Sequence, residues 1–218
     1  MAPTSGPDYA GAIEHAMARL SQDLPAELTY HNLYHTKQGV LPAAQRFAAL
    51  AGLDGEGVGL LEVAAAYHDI GFIVQPQNHE ALGAGIAAGV LPSYGFSPAQ
   101  IGTIRAMILA TRWPQSPQSP LEEILVDADL DVLGREDYPA RNQALRAELA
   151  AQGRSFSTEE WLRGQVNILR GHRYFTAAAR ALRDRGKREN MAAVEDRLAR
   201  LTDRENTGEG GESHDGSH

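Results

Sequence analysis

The stretch "AAAYHDIGF", residues 64–72, decides the fold, because an apolar helical run ends there on two adjacent ionisable side chains, His68 and Asp69. Gly71 follows them, and a glycine at this place is typical of a helix end. The run before the pair is apolar almost throughout, which predicts a buried helix. A buried charge needs a partner, and a divalent metal ion accepts both an imidazole nitrogen and a carboxylate oxygen.

The other segments also have helical rather than strand spacing, so the predicted fold class is all-α. Ser97 with Pro98, and Ser157 with Glu160 three residues later, mark two helix starts. Pro42 should bend the helix that contains it. The expected organisation is a single domain over residues 1–204, followed by a tail over residues 205–218 whose composition predicts disorder.

Composition limits the chemistry that this chain can perform. The 218 residues include no cysteine, which excludes disulfides, thiolate zinc sites and cysteine nucleophiles. Any metal must therefore bind to nitrogen and oxygen atoms. The net charge of -8 argues against a nucleic-acid polymer as partner, because such surfaces are usually basic.

The sequence also lacks the signals of a membrane or exported protein. No apolar run approaches the roughly 20 residues that cross a bilayer, and the start "MAPTSGPDYAG" lacks the basic and apolar regions of a signal peptide. No membrane partner is therefore expected. The expected location is cytoplasmic.

Two further motifs carry candidate metal ligands. In "YHNLYH", residues 30–35, His31 and His35 are four residues apart and would share one face if a helix runs through both. In "ILVDADLDVLG", residues 124–134, Asp127, Asp129 and Asp131 alternate with apolar residues in a segment that should also be buried. A carboxylate that faces a metal would explain such burial.

The pattern resembles that of the HD superfamily of metal-dependent phosphohydrolases, in the order His35, His68-Asp69 and Asp129 along the chain. The resemblance covers about residues 28–182 and includes several blocks of a bacterial subgroup of predicted phosphohydrolases: "YHNLYHT", "AAAYHDIGF", "NHEALGAGIA", "ILATRWPQSP", "LEEILVDADLDVLGRED" and "GHRYFTAAA". It implies an HD-domain helical bundle with a metal site between core helices. It also implies one divalent ion per site, namely Mn, Mg, Fe, Zn, Co or Ni.

The resemblance implies metal-ligand roles for His35, His68, Asp69 and Asp129. Asp129 is favoured over Asp127 because HD proteins usually place this ligand in an "AD" or "VD" step, and Ala128-Asp129 fits that pattern. Asp127 then either orients a ligand histidine or is the alternative ligand.

The catalytic residues that the resemblance implies are His31 and Glu80. The phrase "YHNxxH" is similar to that of class I cyclic-nucleotide phosphodiesterases, which implies that His31 protonates the leaving oxygen. Glu80 lies where related families have an acidic residue in the active site. Arg112 is the first candidate for binding the phosphate, and Lys37 is the second.

Three residues near these motifs have structural interpretations. Asp131 is expected at the surface or as a helix cap, His79 at the surface, and His172 in a structural role at a helix end. The related nucleotidases carry a glutamate or histidine where this chain has Phe72 and Ile73, which disfavours a second metal.

The expected function is hydrolysis of a nucleotide or other small phosphate ester, either a monoester or a diester, by a metal-activated water. The expected partner is this small phosphorylated substrate, and the sequence is compatible with either a monomer or a homodimer. Two alternatives are a di-iron HD-type oxygenase, for which His79 is the one extra histidine available, and a nucleotide-sensing module without turnover.

Overall fold

The computed structural model describes residues 6–206, which form nine α-helices joined by short turns. The helices are α1 Tyr9–Asp23, α2 Leu41–Ala51, α3 Gly55–Tyr67, α4 His79–Val90, α5 Pro98–Ala110, α6 Pro120–Asp129, α7 Tyr138–Ala151, α8 Thr158–Gly171 and α9 Ala177–Asn206. Residues 6–206 contain no β-strand, so the all-α prediction is confirmed. Helix α9 continues two residues into the predicted tail, and residues 207–218 lie outside the described part of the chain.

The two predicted helix starts are confirmed as capping boxes. The Ser97 hydroxyl accepts a hydrogen bond from the Gln100 backbone N–H, and the Gln100 side chain accepts one from the Ser97 N–H. Ser157 and Glu160 make the same reciprocal pair at the start of α8. These bonds satisfy backbone donors that have no partner inside the helix.

Helix α3 lies at the centre of the larger of two apolar cores. It packs against α1, α2, α5 and α6, and Ala64, Ala65 and Ala66 near its C-terminal end are fully buried. A second core joins α7, α8 and α9 with the 3₁₀ turn Asp131–Gly134. In the described part of the chain, no helix has both the length and the apolarity that crossing a bilayer requires.

A close backbone contact at Gly71 positions the segment after α3. A Cβ atom on Gly71 would lie 1.9 Å from the backbone oxygen of His79, so a larger residue would force the two segments apart. The 3₁₀ turn Ile70–Ile73 can therefore pass directly against the first residue of α4. As a result, His79 lies beside Asp69.

Candidate metal centre

The end of α3 delivers His68 and Asp69 into the protein interior. His68 is 1% exposed and Asp69 is 5% exposed. The Nδ1 atom of His68 lies 2.8 Å from the backbone oxygen of Ala65 and donates a hydrogen bond to it. This bond leaves Nε2, the other ring nitrogen, to face the neighbouring carboxylates.

His35 and Asp129 meet this pair from two other parts of the chain. The Nε2 atom of His35 lies 3.2 Å from Asp129 Oδ1 and 3.5 Å from Asp69 Oδ2. The Nε2 atom of His68 lies 3.1 Å from Asp69 Oδ2 and 3.6 Å from Asp129 Oδ1. The structure thus brings together the four residues that the sequence pattern singled out as ligands.

The donor set fits a cation. His35, His68 and Asp129 each offer one ligand atom, and these atoms lie within 4.8 Å of one another, so the group can hold a metal ion. His68 Nε2 and Asp69 Oδ2 are buried and have no hydrogen-bond partner. Because His68 Nδ1 carries the donated hydrogen, the Nε2 atom of the neutral ring turns a lone pair towards the carboxylates. The lone pair and the carboxylate charges repel one another, and only a cation or a proton between them relieves that repulsion.

The charges of the cluster couple its protonation states. Burial alone would raise the pKa of Asp69, but the nearby charge of His68 outweighs burial and holds this pKa far below its usual range. Burial alone would lower the pKa of His68, but the nearby charges of Asp69 and Asp129 raise it well above its ordinary value. Without a metal, a proton on His68 therefore neutralises part of the carboxylate charge.

His31 and His35 do not share one helix, because Asn32 starts the helix between them. The Asn32 Oδ1 atom accepts hydrogen bonds from the backbone N–H groups of Tyr34 and His35, at 3.1 and 3.3 Å. His31 precedes this cap. His35 opens the π-helical turn His35–Val40, a rare element that often occurs at functional sites.

Glu148 on α7 positions His31 and was missed from the sequence. One carboxylate oxygen accepts the hydrogen bond of His31 Nδ1, and the other accepts the backbone N–H groups of Tyr30 and His31 at 2.7 and 2.9 Å. Burial alone would lower the pKa of His31, but Glu148 and the charges of Asp69 and Asp129 raise it. No local signal pointed to Glu148, which lies 117 residues further along the chain.

Asp127 has a different environment from Asp129. It is fully buried, and its carboxylate accepts hydrogen bonds from the backbone N–H of Phe175 at 2.8 Å and from the N–H and hydroxyl of Thr176 at 2.7 Å. Within residues 6–206 it makes no hydrogen bond to His35 or His68. Its contacts therefore support neither the orienting role nor the alternative ligand role, because its oxygens are used to hold the start of α9.

Asp131 corrects another expectation. It was expected at the surface or as a cap, but it is 1% exposed and pairs with Arg183 on α9 through both carboxylate oxygens. The long α9 supplies a guanidinium at this point, so the carboxylate can be buried at low cost. The alternating aspartates, two in α6 and one in the 3₁₀ turn that follows it, thus serve three separate sites.

His79 and Glu80 lie at the edge of the metal cluster. His79 was expected at the surface, yet its Nε2 atom lies 3.5 Å from Asp69 Oδ1 and 3.7 Å from Glu80 Oε1. Glu80 is 8% exposed. Phe72 stacks between the rings of His31 and His79, at centroid distances of 4.4 and 4.0 Å. An aromatic ring therefore fills the space between these two histidines.

Two cations were predicted to bind the phosphate, and the structure adds a third candidate. Arg112 is exposed and hydrogen bonds to Asn78, and Lys37 is exposed in the π-helical turn. Arg141 on α7, which was not predicted, lines a small cleft together with His35 and Asp129. Its guanidinium donates to the backbone oxygen of Tyr30 at 2.8 Å and has no carboxylate partner among residues 6–203.

The comparisons with known proteins support the fold. No family model and no curated protein matches the chain significantly. A solved structure, described as a predicted HD superfamily hydrolase from an uncultured Thermotogales bacterium, matches with a TM-score of 0.57 and 20% sequence identity. The match covers 90% of this chain and 92% of that one. This chain therefore has the fold of a predicted HD superfamily hydrolase, and the fold that the sequence resemblance implied is confirmed.

Proposed function

We propose that this protein is an HD-type metal-dependent hydrolase that cleaves a small phosphate ester. Its substrate is a nucleotide or another phosphate ester that carries an apolar group. The observation that carries this proposal is the convergence of His35, His68, Asp69 and Asp129, together with two buried ligand atoms of this cluster, His68 Nε2 and Asp69 Oδ2, that lack hydrogen-bond partners. Four nitrogen and oxygen ligands leave coordination positions for water and substrate. A divalent ion, when bound there, lowers the pKa of a water molecule and draws charge from a phosphoryl oxygen.

His31 is the proposed general acid. It lies at the edge of the cluster, and Glu148 fixes its ring through Nδ1, so that Nε2 is the nitrogen left to serve the substrate. The raised pKa keeps the ring protonated closer to neutral pH. The proton then passes from His31 to the leaving oxygen as water attacks phosphorus from the opposite side.

Arg141 is the proposed phosphate-binding residue. It lies in the cleft beside His35 and Asp129, and no carboxylate within residues 6–203 competes for it. A guanidinium in this situation can donate two parallel hydrogen bonds to the non-reacting phosphate oxygens. Arg112 and Lys37 remain weaker candidates because their contacts do not place them in this cleft, and Glu80 remains a candidate for positioning water.

A neighbouring cavity supports an apolar group on the substrate. It has a volume of about 240 Å³ and is lined mainly by apolar and aromatic side chains, among them Tyr30, Trp113 and Tyr138. Arg141 lines this cavity as well as the cleft, and the Tyr30 ring lies 5.0 Å from that of His35. Whole-ligand pockets measure about 300–1,000 Å³, so this cavity would hold one part of the substrate, such as a base or an aryl ring.

The test is a metal-dependent activity screen of the purified protein. Metal-free protein is supplied with each divalent ion and assayed with nucleoside mono-, di- and triphosphates, cyclic nucleotides, aryl phosphates and methyl phosphate. We expect turnover that requires the ion and prefers the aryl or nucleoside esters to methyl phosphate. Asp69→Ala should lose bound metal and turnover, whereas Asp196→Asn, a change of an exposed carboxylate on α9, should keep both.

The position of His79 favours one second candidate function, that of a di-iron oxygenase. Its imidazole lies beside Asp69 and adds one histidine to the cluster. The screen therefore includes an iron-loaded sample with dioxygen uptake as the readout. Uptake without release of phosphate would overturn the hydrolase proposal. Metal binding with neither activity would indicate a sensing module.

A further inference from the structure

A second polar cavity lies where α8 ends and α9 begins. Its volume is about 610 Å³, within the range of about 300–1,000 Å³ that is usual for small-molecule sites. One carboxylate, Asp184, lines it together with five cations: Arg170, Arg173, Arg180, Lys187 and Arg188. This concentration of positive charge is unexpected in a chain with a net charge of -8.

Several of these cations are not neutralised by the protein. Arg170 pairs with Glu195 at 2.7 Å, but Arg173 and Arg188 have no ion pair among residues 6–203. Burial lowers the pKa of Lys187; the charge of Asp184 opposes this effect, and the charges of Arg173 and Arg188 add to it. The side chains therefore repel one another, and a bound anion would relieve that repulsion.

His172 is one of the residues that line this cavity. It is 5% exposed, and its Nε2 atom is buried without a hydrogen-bond partner. Lys187 Nζ donates to the backbone oxygen of His172 and lies 3.5 Å from His172 Nδ1. Since an ammonium group can only donate, Nδ1 must be the accepting nitrogen, and the hydrogen of the neutral ring is on Nε2.

Burial and the neighbouring Lys187 lower the pKa of His172 to about 4, so the ring is neutral at pH 7. The cavity is therefore lined by a neutral imidazole ring and by charged groups that are mostly cations. An anion complements these charges, whereas a cation does not.

We propose that this cavity is a second ligand site that binds a small oligophosphate anion, such as inorganic triphosphate or the phosphate chain of a nucleoside triphosphate. An anion with several charges is favoured because five cations face a single carboxylate. Guanidinium groups match phosphate oxygens in geometry as well as in charge. The site is separate from the metal centre, and this inference does not depend on the proposed hydrolase activity.

The test measures binding of inorganic triphosphate to the full chain in buffer that contains EDTA, by titration calorimetry and thermal shift. We expect binding, a raised Tm, and weaker binding of pyrophosphate and orthophosphate. Arg173 and Arg188 are exposed and without ion pairs, so R173Q/R188Q should fold normally. This double variant should bind triphosphate about tenfold more weakly or worse, because two charge-assisted hydrogen bonds are lost.

The matched control is R185Q/R200Q, which removes the same charge from exposed positions of α9 that do not line the cavity. Its affinity should change less than about twofold, the effect of general electrostatics at moderate salt. An ATP arm shows whether a nucleoside adds affinity to the phosphate chain.

A spectroscopic readout on the unaltered protein tests the role of His172. Imidazole ¹⁵N spectra should show a neutral ring with the hydrogen on Nε2, and that signal should shift when triphosphate is added. The proposal is overturned if the unaltered protein does not bind triphosphate, if both double variants lose affinity equally, or if R173Q/R188Q binds as tightly as the unaltered chain.

Discussion

His68 and His172 are both buried, and each has an Nε2 atom without a hydrogen-bond partner, but their surroundings are opposite. The Nδ1 atom of His68 donates to the Ala65 carbonyl, and Asp69 and Asp129 surround its Nε2. The Nδ1 atom of His172 instead faces the ammonium of Lys187. The first ring therefore offers a lone pair to a cation, whereas the second is a neutral ring among side chains that are mostly cations.

The difference shows that residue type alone does not decide what a buried histidine binds. The group that contacts one ring nitrogen selects the tautomer, and the tautomer determines whether the other nitrogen accepts or donates. The nearby charges then favour a ligand of the opposite sign. The same physical rule underlies both proposed ligands, a metal ion beside His68 and an oligophosphate beside His172.

The largest effect is expected from substitutions of two aspartates of α6, one of which lies beside His68. Asp129→Ala removes a ligand atom beside His35 and His68, so bound metal and turnover should both be lost. Asp127→Ala removes three hydrogen bonds from Phe175 and Thr176 and should keep the metal. The loss of these bonds should lower the free energy of unfolding by about 2–4 kcal/mol and the Tm by about 5–10 °C.

Metal content is measured by elemental analysis, and the Tm is compared in EDTA so that bound metal does not contribute. Loss of metal from the Asp127 variant, with full retention by the Asp129 variant, would reverse the assignment. Equal metal loss in both would place both carboxylates around the ion.

A smaller effect is expected from Glu148→Gln. Glu148 accepts a hydrogen bond from His31 Nδ1, as the Ala65 carbonyl does from His68 Nδ1. Removing the charge should lower the pKa of His31, which Glu148 helps to raise. A general acid works in its protonated form, so the alkaline limb of the pH–rate profile should move to lower pH, and kcat/KM should fall by about 10–100-fold with the metal retained.

The matched control is Glu159→Gln, which changes a partly exposed carboxylate that is paired with Arg163 on α8. Its pH–rate profile should be that of the unaltered protein. If the Glu148 variant loses activity but keeps the same pH limb, Glu148 supports the fold and does not set the protonation of His31.

The smallest expected effect concerns stability at the second histidine. The pKa of His172 is about 4 in the folded chain and about 6.5 when unfolded, so the unfolded chain binds the extra proton between these values. The stability that neutral His172 contributes is present above pH 6.5 and is lost as the pH falls towards 4. Between pH 7 and pH 5 this loss should reach about 1–2 kcal/mol.

Urea unfolding at several pH values, in buffer without phosphate, measures this dependence. The His172→Gln variant lacks the titrating group, so its stability should fall less between pH 7 and pH 5 than that of the unaltered protein. Parallel curves for the two proteins would show that His172 does not titrate with the lowered pKa.

Much of the fold was predictable because local chemistry determines it. The apolar run before His68 produces the buried helix α3, and the hydroxyl groups of Ser97 and Ser157 start two helices through bonds that span three residues. The "AD" step also selected Asp129, the aspartate that the structure places beside His35 and His68. Each of these signals needs only a few neighbouring residues to act.

Other parts of the site were not predictable, because their partners are far apart in sequence. Glu148 and Arg141 lie on α7, whose charged residues gave no local sign that two of them face the metal centre. His79 reaches Asp69 because Gly71 allows two backbone segments to touch. His31 lies off the helix of His35 because Asn32 caps that helix.

By itself, the sequence determined the helical class, the main helix starts and the set of ionisable residues that need partners, because burial and capping follow from local spacing. Only the tertiary structure decided which partner each of them has. A single residue separates Asp127 from Asp129 in one helix, yet one holds the start of α9 and the other faces two imidazoles. The physical reason is that hydrogen bonds and charges act over a few ångströms in space, whatever the distance along the chain.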